Sequence, residues 1–254
     1  MTPKSKVYSR YRTKWLIPMR KFENRLILKL RKIFKNEYTY IADNYDFIAQ
    51  NGFSIIRNLE MRTDVKNSLI KVVSDVIPFA GEMAYRDINR EIKSDFDYGL
   101  YIAEYVASDT FRESIESIVT TFYDDIEGII PVGIEKELTR REISSSILKA
   151  MTVKSRYRAD TIAITETHRA SSYASEKRAI GMQNDLGVVM YKDWIPVQDA
   201  RTRSAHSAMD SAPEIPMNEM FNVGGEKMSR PNDPRGSAKN TIRCRCVLRY
   251  IIKD

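Results

Sequence analysis

Residues 188–196, Val-Val-Met-Tyr-Lys-Asp-Trp-Ile-Pro, decide the fold class. Val188 to Tyr191 and Trp194 to Pro196 read as a strand, and no strand-like alternation appears in the first 150 residues. Upstream, a helix from about Arg156 to Ile180 carries small residues on one face, Ala159, Ala163, Ala170 and Ala174, with Gly181 placed to end it. Downstream, residues 211–240 hold Pro213, Pro216, Gly224, Gly225, Pro231, Pro234 and Gly236, a loop with one short element near Met220-Phe221. Cys246-Val247-Leu248-Arg249-Tyr250-Ile251-Ile252 then reads as a closing strand. Helix, strand, loop and strand predict a small α+β domain over residues 153–254.

The first 152 residues read as a helical domain with a basic N-terminal arm. From Pro18, apolar residues Met19, Phe22, Leu26, Leu30, Ile33, Ile41, Tyr45 and Ile48 recur at helical spacing, with Asn51-Gly52 as the stop. A rod of that length cannot bury itself and calls for a partner. Asp64 is placed to cap a segment through Val76 that ends at Pro78. Met83, Ile88 and Ile92 mark another helix, and Tyr98-Gly99 marks a break. Phe111, Ile115, Ile118, Val119, Phe122 and Ile126 form an apolar stripe ended near Gly128 and Pro131, and Thr139 opens a helix through Ile143, Ile147 and Leu148. The whole is an α+β protein, mainly helical at the N-terminal end.

The 254 residues are 43 % hydrophobic and 30 % charged, which excludes a disordered chain, a collagen and a disulfide-dense mini-protein. No apolar run approaches the roughly 20 residues of a membrane span, and charges interrupt the N-terminus too soon for a signal peptide. A reducing cytoplasm is the expected compartment. The net charge of +7 is unevenly spread: +11 over residues 1–35, −9 over 36–152 and +5 over 153–254. Arg10, Arg12, Lys14, Arg20, Lys21, Arg25, Lys29, Arg31, Lys32 and Lys35 make the head a candidate contact for DNA phosphates or for an acidic partner surface. A solvated helix face is the plainer alternative.

The sequence has no Walker A, HExxH, GxSxG or dinucleotide-binding glycine motif. Its two histidines and two cysteines all lie in the last 87 residues. In Gln198-Asp199-Ala200-Arg201-Thr202-Arg203-Ser204-Ala205-His206, Asp199 as a helix cap would put Arg203 and His206 on its own face. Glu166, Asp199, Arg201, Arg203 and His206 are expected to form one structural polar cluster, with Arg201 or Arg203 meeting Glu166. His206, Cys244 and Cys246, with a fourth ligand from Asp199 or His168, could also hold a tetrahedral zinc ion. Two reduced, half-buried thiols are the alternative.

Thr165-Glu166-Thr167, Trp194, Asp199 to Arg203 with His206, Pro231-Asn232-Asp233-Pro234 and Ile242-Arg243-Cys244-Arg245-Cys246 follow one another in an order that resembles a known family. It is the C-terminal domain of the Mu F-like head morphogenesis proteins, the minor head proteins of tailed bacteriophages, over about residues 153–252. Arg243 stands where an Asn is common in that family, and Asp210-Ser211-Ala212 replaces a Gly-containing turn. The resemblance implies a non-enzymatic minor capsid protein inside the capsid near the portal vertex, present in the host cytoplasm during assembly. Its implied partners are the portal protein, capsid or scaffolding proteins and, without sequence preference, double-stranded DNA, but no membrane. A metal-dependent enzyme acting on nucleic acid through Glu166, Asp199 and His206 is the competing reading, and a toxin-associated domain is a third.

Overall fold

The structure is a computed structural model that describes residues 12–51, 59–88 and 96–253. After a π-helical turn, Arg12–Leu16, come helices α1 (Ile17–Asp43), α2 (Tyr45–Asn51), α3 (Leu59–Ile88), α4 (Tyr98–Ala107), α5 (Asp109–Glu127), α6 (Ile129–Glu135) and α7 (Arg140–Leu186). The C-terminal part adds β1 (Val189–Ile195), the one-turn helix α8 (Ser204–Ser207), β2 (Ile215–Pro216), β3 (Phe221–Val223), β4 (Glu226–Met228), α9 (Ala238–Thr241) and β5 (Val247–Lys253). This is the expected α+β class, with long helices first and a small sheet last.

Several boundaries differ from the sequence reading. The expected single rod to residue 51 breaks at Asn44 into α1 and α2. Pro78 does not stop a helix but lies inside α3. A proline inside a helix, which loses one backbone hydrogen bond and crowds the carbonyl a turn before it, costs about 3 kcal/mol. The buried row Met61, Val65, Leu69, Val72, Val76, Ala80 and Ala84 runs past it on both sides and outweighs that cost. The helix starts at Leu59, so Asp64 lies inside it and not at its cap. Tyr98-Gly99 opens a helix instead of breaking one, because Asp97 Oδ1 accepts the N–H groups of Gly99 (2.8 Å) and Leu100 (3.2 Å). Gly181 does not end its helix; α7 runs on to Leu186, and Gly187 takes the left-handed stop at φ +63°. Gly52 and Ile92 lie outside the described residues.

Two compact units divide the chain: Asn24–Lys71 with Val106–Ala163, and Met1–Glu23 with Val72–Tyr105 and Ile164–Asp254. That division differs from 1–152 and 153–254, and residues 152 and 153 fall within the 47-residue α7. The composition changes there, but no residue stops the helix. Its start is a capping box: the Thr139 N–H donates to Glu142 Oε2 at 2.8 Å, and the Glu142 N–H donates back to Thr139 Oγ1 at 3.4 Å.

In the helical unit, the α1 stripe is covered by the chain itself. Phe34 stacks on Phe122 of α5 at 5.3 Å and Tyr38 meets the same ring edge-on at 4.8 Å. The buried Glu37 accepts from the Tyr123 hydroxyl at 2.8 Å. The repeat selects Phe34 and Tyr38 for the core in place of Ile33. From Leu26 to Ile41, the stripe is thus covered without an outside partner. All six residues of the expected α5 stripe are buried.

The other unit holds an antiparallel sheet in the order β2-β1-β5. Seven residue pairs join β1 to β5, from Val189↔Lys253 to Ile195↔Val247. The expected loop after residue 211 contains a β3–β4 hairpin, turned by Gly224 and Gly225 at φ +59° and +89°. Trp194, fully buried, stands edge-on to Phe221 at 5.4 Å and to His206 at 5.7 Å. The segment Asp210-Ser211-Ala212 needs no glycine, since Ser211 adopts φ −99° after a 3-10 turn.

Candidate functional site

The five residues 242–246, leading into β5, are held from several parts of the fold. The Ile242 carbonyl accepts from Arg203 Nη2. The Arg243 N–H donates to Thr165 Oγ1 of α7 at 3.0 Å. The Cys244 carbonyl accepts from Asn232 Nδ2 at 3.1 Å. Arg245 Nη2 donates to Asp199 Oδ1 and Oδ2 at 2.9 and 2.7 Å. The sulfurs of Cys244 and Cys246 face His206 Nδ1 at 3.5 and 3.4 Å. Extended backbone explains the alternation: residues 244 and 246 point one way and 245 the other. Arg243 sits at φ +57°, the left-handed region that Asn adopts more readily than Arg.

Asp199 does not cap a helix. Its Oδ1 accepts the Arg201 N–H at 3.1 Å and the Thr202 hydroxyl at 3.2 Å, closing a turn that follows Gln198 at φ +53°. The helix starts later, with Arg203 at the N-cap, so His206 sits on α8 and not on a helix face shared with Asp199. Burial opposes ionisation of Asp199, but the Arg245 hydrogen bond and charge, with the Arg201 N–H and Thr202, hold its carboxyl below the usual range.

The expected five-residue polar cluster is distributed over separate partners. Glu166 Oε1 accepts from Arg169 Nη1, one turn along α7, at 2.7 Å, so its cation is neither Arg201 nor Arg203. Arg201 is largely exposed and 3.5 Å from Asp199. His168 pairs with Glu23 at 2.9 Å and takes no part with the cysteines. Burial raises the Glu23 carboxyl, yet His168, Arg20 and Arg245 together bring it below its ordinary value. Glu23, Arg169 and Arg245 escaped the sequence reading. The signal for Glu23 was its position as the sole acid among twelve cations in residues 1–35.

Among the described residues, one group of His, Cys, Asp or Glu side chains gathers closely enough to share an ion: His206, Cys244 and Cys246, all buried, with ligand atoms within 4.8 Å of one another. Asp199 and His168 are not in it. Cys244 is pulled below the ordinary thiol range, chiefly by its hydrogen bond to Cys246 and against burial. Backbone hydrogen bonds from Cys246 and Asn232 and the charge of Arg203 add to the effect. The Cys246 thiol is pushed up by Cys244 and by burial. His206 Nε2 is buried with no hydrogen-bond partner among the described residues.

The neighbouring loop is equally built. Asp233, 1 % exposed, accepts the N–H groups of Ser229 (2.6 Å) and Arg235 (3.0 Å) and the Arg235 guanidinium. Burial would raise its carboxyl, but these bonds bring it down to about 2. Asn232, at φ +57°, turns its amide to the Cys244 carbonyl.

Of the candidate cations, Lys14, Arg20, Lys21, Arg25, Lys29, Lys32 and Lys35 are exposed, while Arg31 pairs with Asp160 at 3.2 Å. Arg10 and the Arg12 side chain lie outside the described residues. No helix among the described residues is long and apolar enough to cross a membrane.

No curated protein and no solved structure matches the chain. A family model does, that of the Phage Mu protein F like proteins, over residues 124–249. The match takes in every segment that converges on residues 242–246 and reaches back into α5, ahead of the expected start at 153. The C-terminal part of this chain is therefore a Phage Mu protein F like domain.

Proposed function

We propose that the protein is a minor capsid protein in head morphogenesis of a tailed bacteriophage, docking on the portal inside the procapsid and contacting packaged DNA through phosphates. The family match over residues 124–249 carries this reading. The site chemistry agrees with it. Glu166 and Asp199, the carboxylates a nuclease would use, are already engaged by Arg169 and Arg245, and the convergent residues spend their polar atoms on one another. Such a site fixes a shape. The exposed lysines Lys29, Lys32 and Lys35 offer the cationic surface that non-specific phosphate contact requires.

The test is co-expression of the full chain with the portal protein of the same phage, followed by size-exclusion chromatography. Co-elution of the two at a fixed ratio supports the assignment. Separate elution, together with metal-dependent cleavage of DNA by the purified chain, overturns it in favour of an enzyme.

A further inference from the structure

We propose that His206 Nδ1, Cys244 Sγ and Cys246 Sγ ligate one zinc ion, which ties α8 to the start of β5.

The first support is geometric. Zinc–sulfur and zinc–nitrogen bonds of about 2.3 and 2.1 Å at tetrahedral angles put the nitrogen and sulfur about 3.6 Å apart. The two nitrogen–sulfur separations here are 3.5 and 3.4 Å. Both agree with that edge to within about 0.2 Å, the tolerance expected of a real site.

The second support is a mismatch that a cation removes. Two sulfurs face one ring nitrogen. A neutral imidazole has a single lone pair there and can accept only one S–H. The other thiol is left with the neighbouring sulfur, which is only a weak acceptor. A divalent cation among the three atoms satisfies both sulfurs as thiolates and the nitrogen as a neutral ligand.

The third support is the surroundings of Cys244. Its sulfur takes backbone hydrogen bonds from Cys246 and Asn232, and the positive charge of Arg203 lies nearby. Polar groups of this kind surround a ligating sulfur in a metal site, and an apolar pocket would not supply them. Asn232 is held for this task by its left-handed backbone and its bond to the Cys244 carbonyl.

The donor set selects the metal. Two thiolates and an imidazole favour a borderline-soft ion and disfavour magnesium or calcium. Three protein ligands leave the fourth position to a water or small anion, since Asp199 is held by Arg245 and His168 by Glu23. Burial of all three ligands points to a structural clip across the chain between residues 206 and 244.

The experiment uses the full chain without a histidine tag, purified under reducing conditions. Elemental analysis should find one zinc per chain. Replacement with Co²⁺ should give thiolate-to-cobalt charge-transfer absorption and the visible bands of tetrahedral coordination. Cys246→Ser and His206→Asn should each lose the metal, and His168→Gln should keep it. Should the first two variants fail to fold, titration of Co²⁺ into metal-stripped wild type carries the same decision. Absence of stoichiometric zinc with no cobalt–thiolate bands overturns the proposal. So does a cobalt spectrum unchanged by Cys246→Ser, or one abolished equally by His168→Gln.

Discussion

Arg245 grips both carboxylate oxygens of Asp199 with one guanidinium nitrogen, at 2.9 and 2.7 Å, across a separation of 46 residues. The pair fixes the turn after β1 to the segment before β5, and Arg245 reaches it because its neighbours Cys244 and Cys246 face the other way. A hydrogen bond to a charged group contributes about 1.5–3 kcal/mol. Asp199→Ala should lower stability by that amount in urea unfolding, and so should Arg245→Ala. The double variant should cost clearly less than the sum. Additive losses would show that the two side chains act separately.

A larger penalty is expected inside α7. Glu166 is buried and Arg169 is nearly so, and Arg169→Met strands that carboxylate and should cost about 3–5 kcal/mol. Adding Glu166→Leu should recover most of it. Arg203→Ala removes one exposed bond to the Ile242 carbonyl and should cost only about 0.5–1.5 kcal/mol. Equal losses at 169 and 203 would contradict the burial argument.

Acid stability should depend on Asp233. Its carboxyl falls from 3.8 to about 2 in the fold, so its contribution is complete above pH 3.8 and is lost as pH drops toward 2. The difference corresponds to about 2 kcal/mol at neutral pH. Asp233→Asn should be destabilised by about that much at pH 7 and should show a flatter stability profile between pH 4 and 2. An unchanged acid limb would remove Asp233 from the account.

The hairpin glycines separate strain from crowding. An alanine at either position must adopt a left-handed φ, which costs about 1 kcal/mol. At Gly225 the added methyl meets nothing within 4 Å among the described residues, whereas at Gly224 it lands 2.9 Å from the Ala205 methyl, next to His206. Gly224→Ala should therefore lower Tm more than Gly225→Ala. The reverse order would show that Ala205 gives way.

The proposed DNA contact through α1 would carry a salt signature. Each lysine that pairs with a phosphate adds about 0.9 to the steepness of log K against log salt. Changing Lys29, Lys32 and Lys35 to Gln should flatten the slope of the full chain without altering its sequence preference. A slope unchanged by the triple variant would assign those lysines to something other than DNA.

Much of this fold was legible because its signals are periodic. The α5 stripe, the Thr139 helix start and the two long strands each repeat a burial pattern over several residues. What escaped was decided by single contacts at a distance. Pro78 reads as a stop until the apolar row is seen to continue past it. Glu166 reads as a partner for the Arg-rich turn, but Arg169 on its own helix is nearer. The approach of His206 to Cys244 and Cys246 was visible as residue chemistry; the exclusion of Asp199 and His168 was not, because their partners, Arg245 and Glu23, carry no motif.

The continuity of α7 bears on how such a domain can be inherited or grafted. A cassette cut where the composition changes, at residue 153, would begin in mid-helix and leave behind the Thr139–Glu142 box that starts it. The recipient would acquire Thr165, Glu166 and the residues that meet β5 on a helix with an unsatisfied amide end. Exchange between proteins should therefore favour breakpoints in the turn before residue 139 or further upstream. That makes the transferable piece appreciably longer than the sheet that distinguishes it.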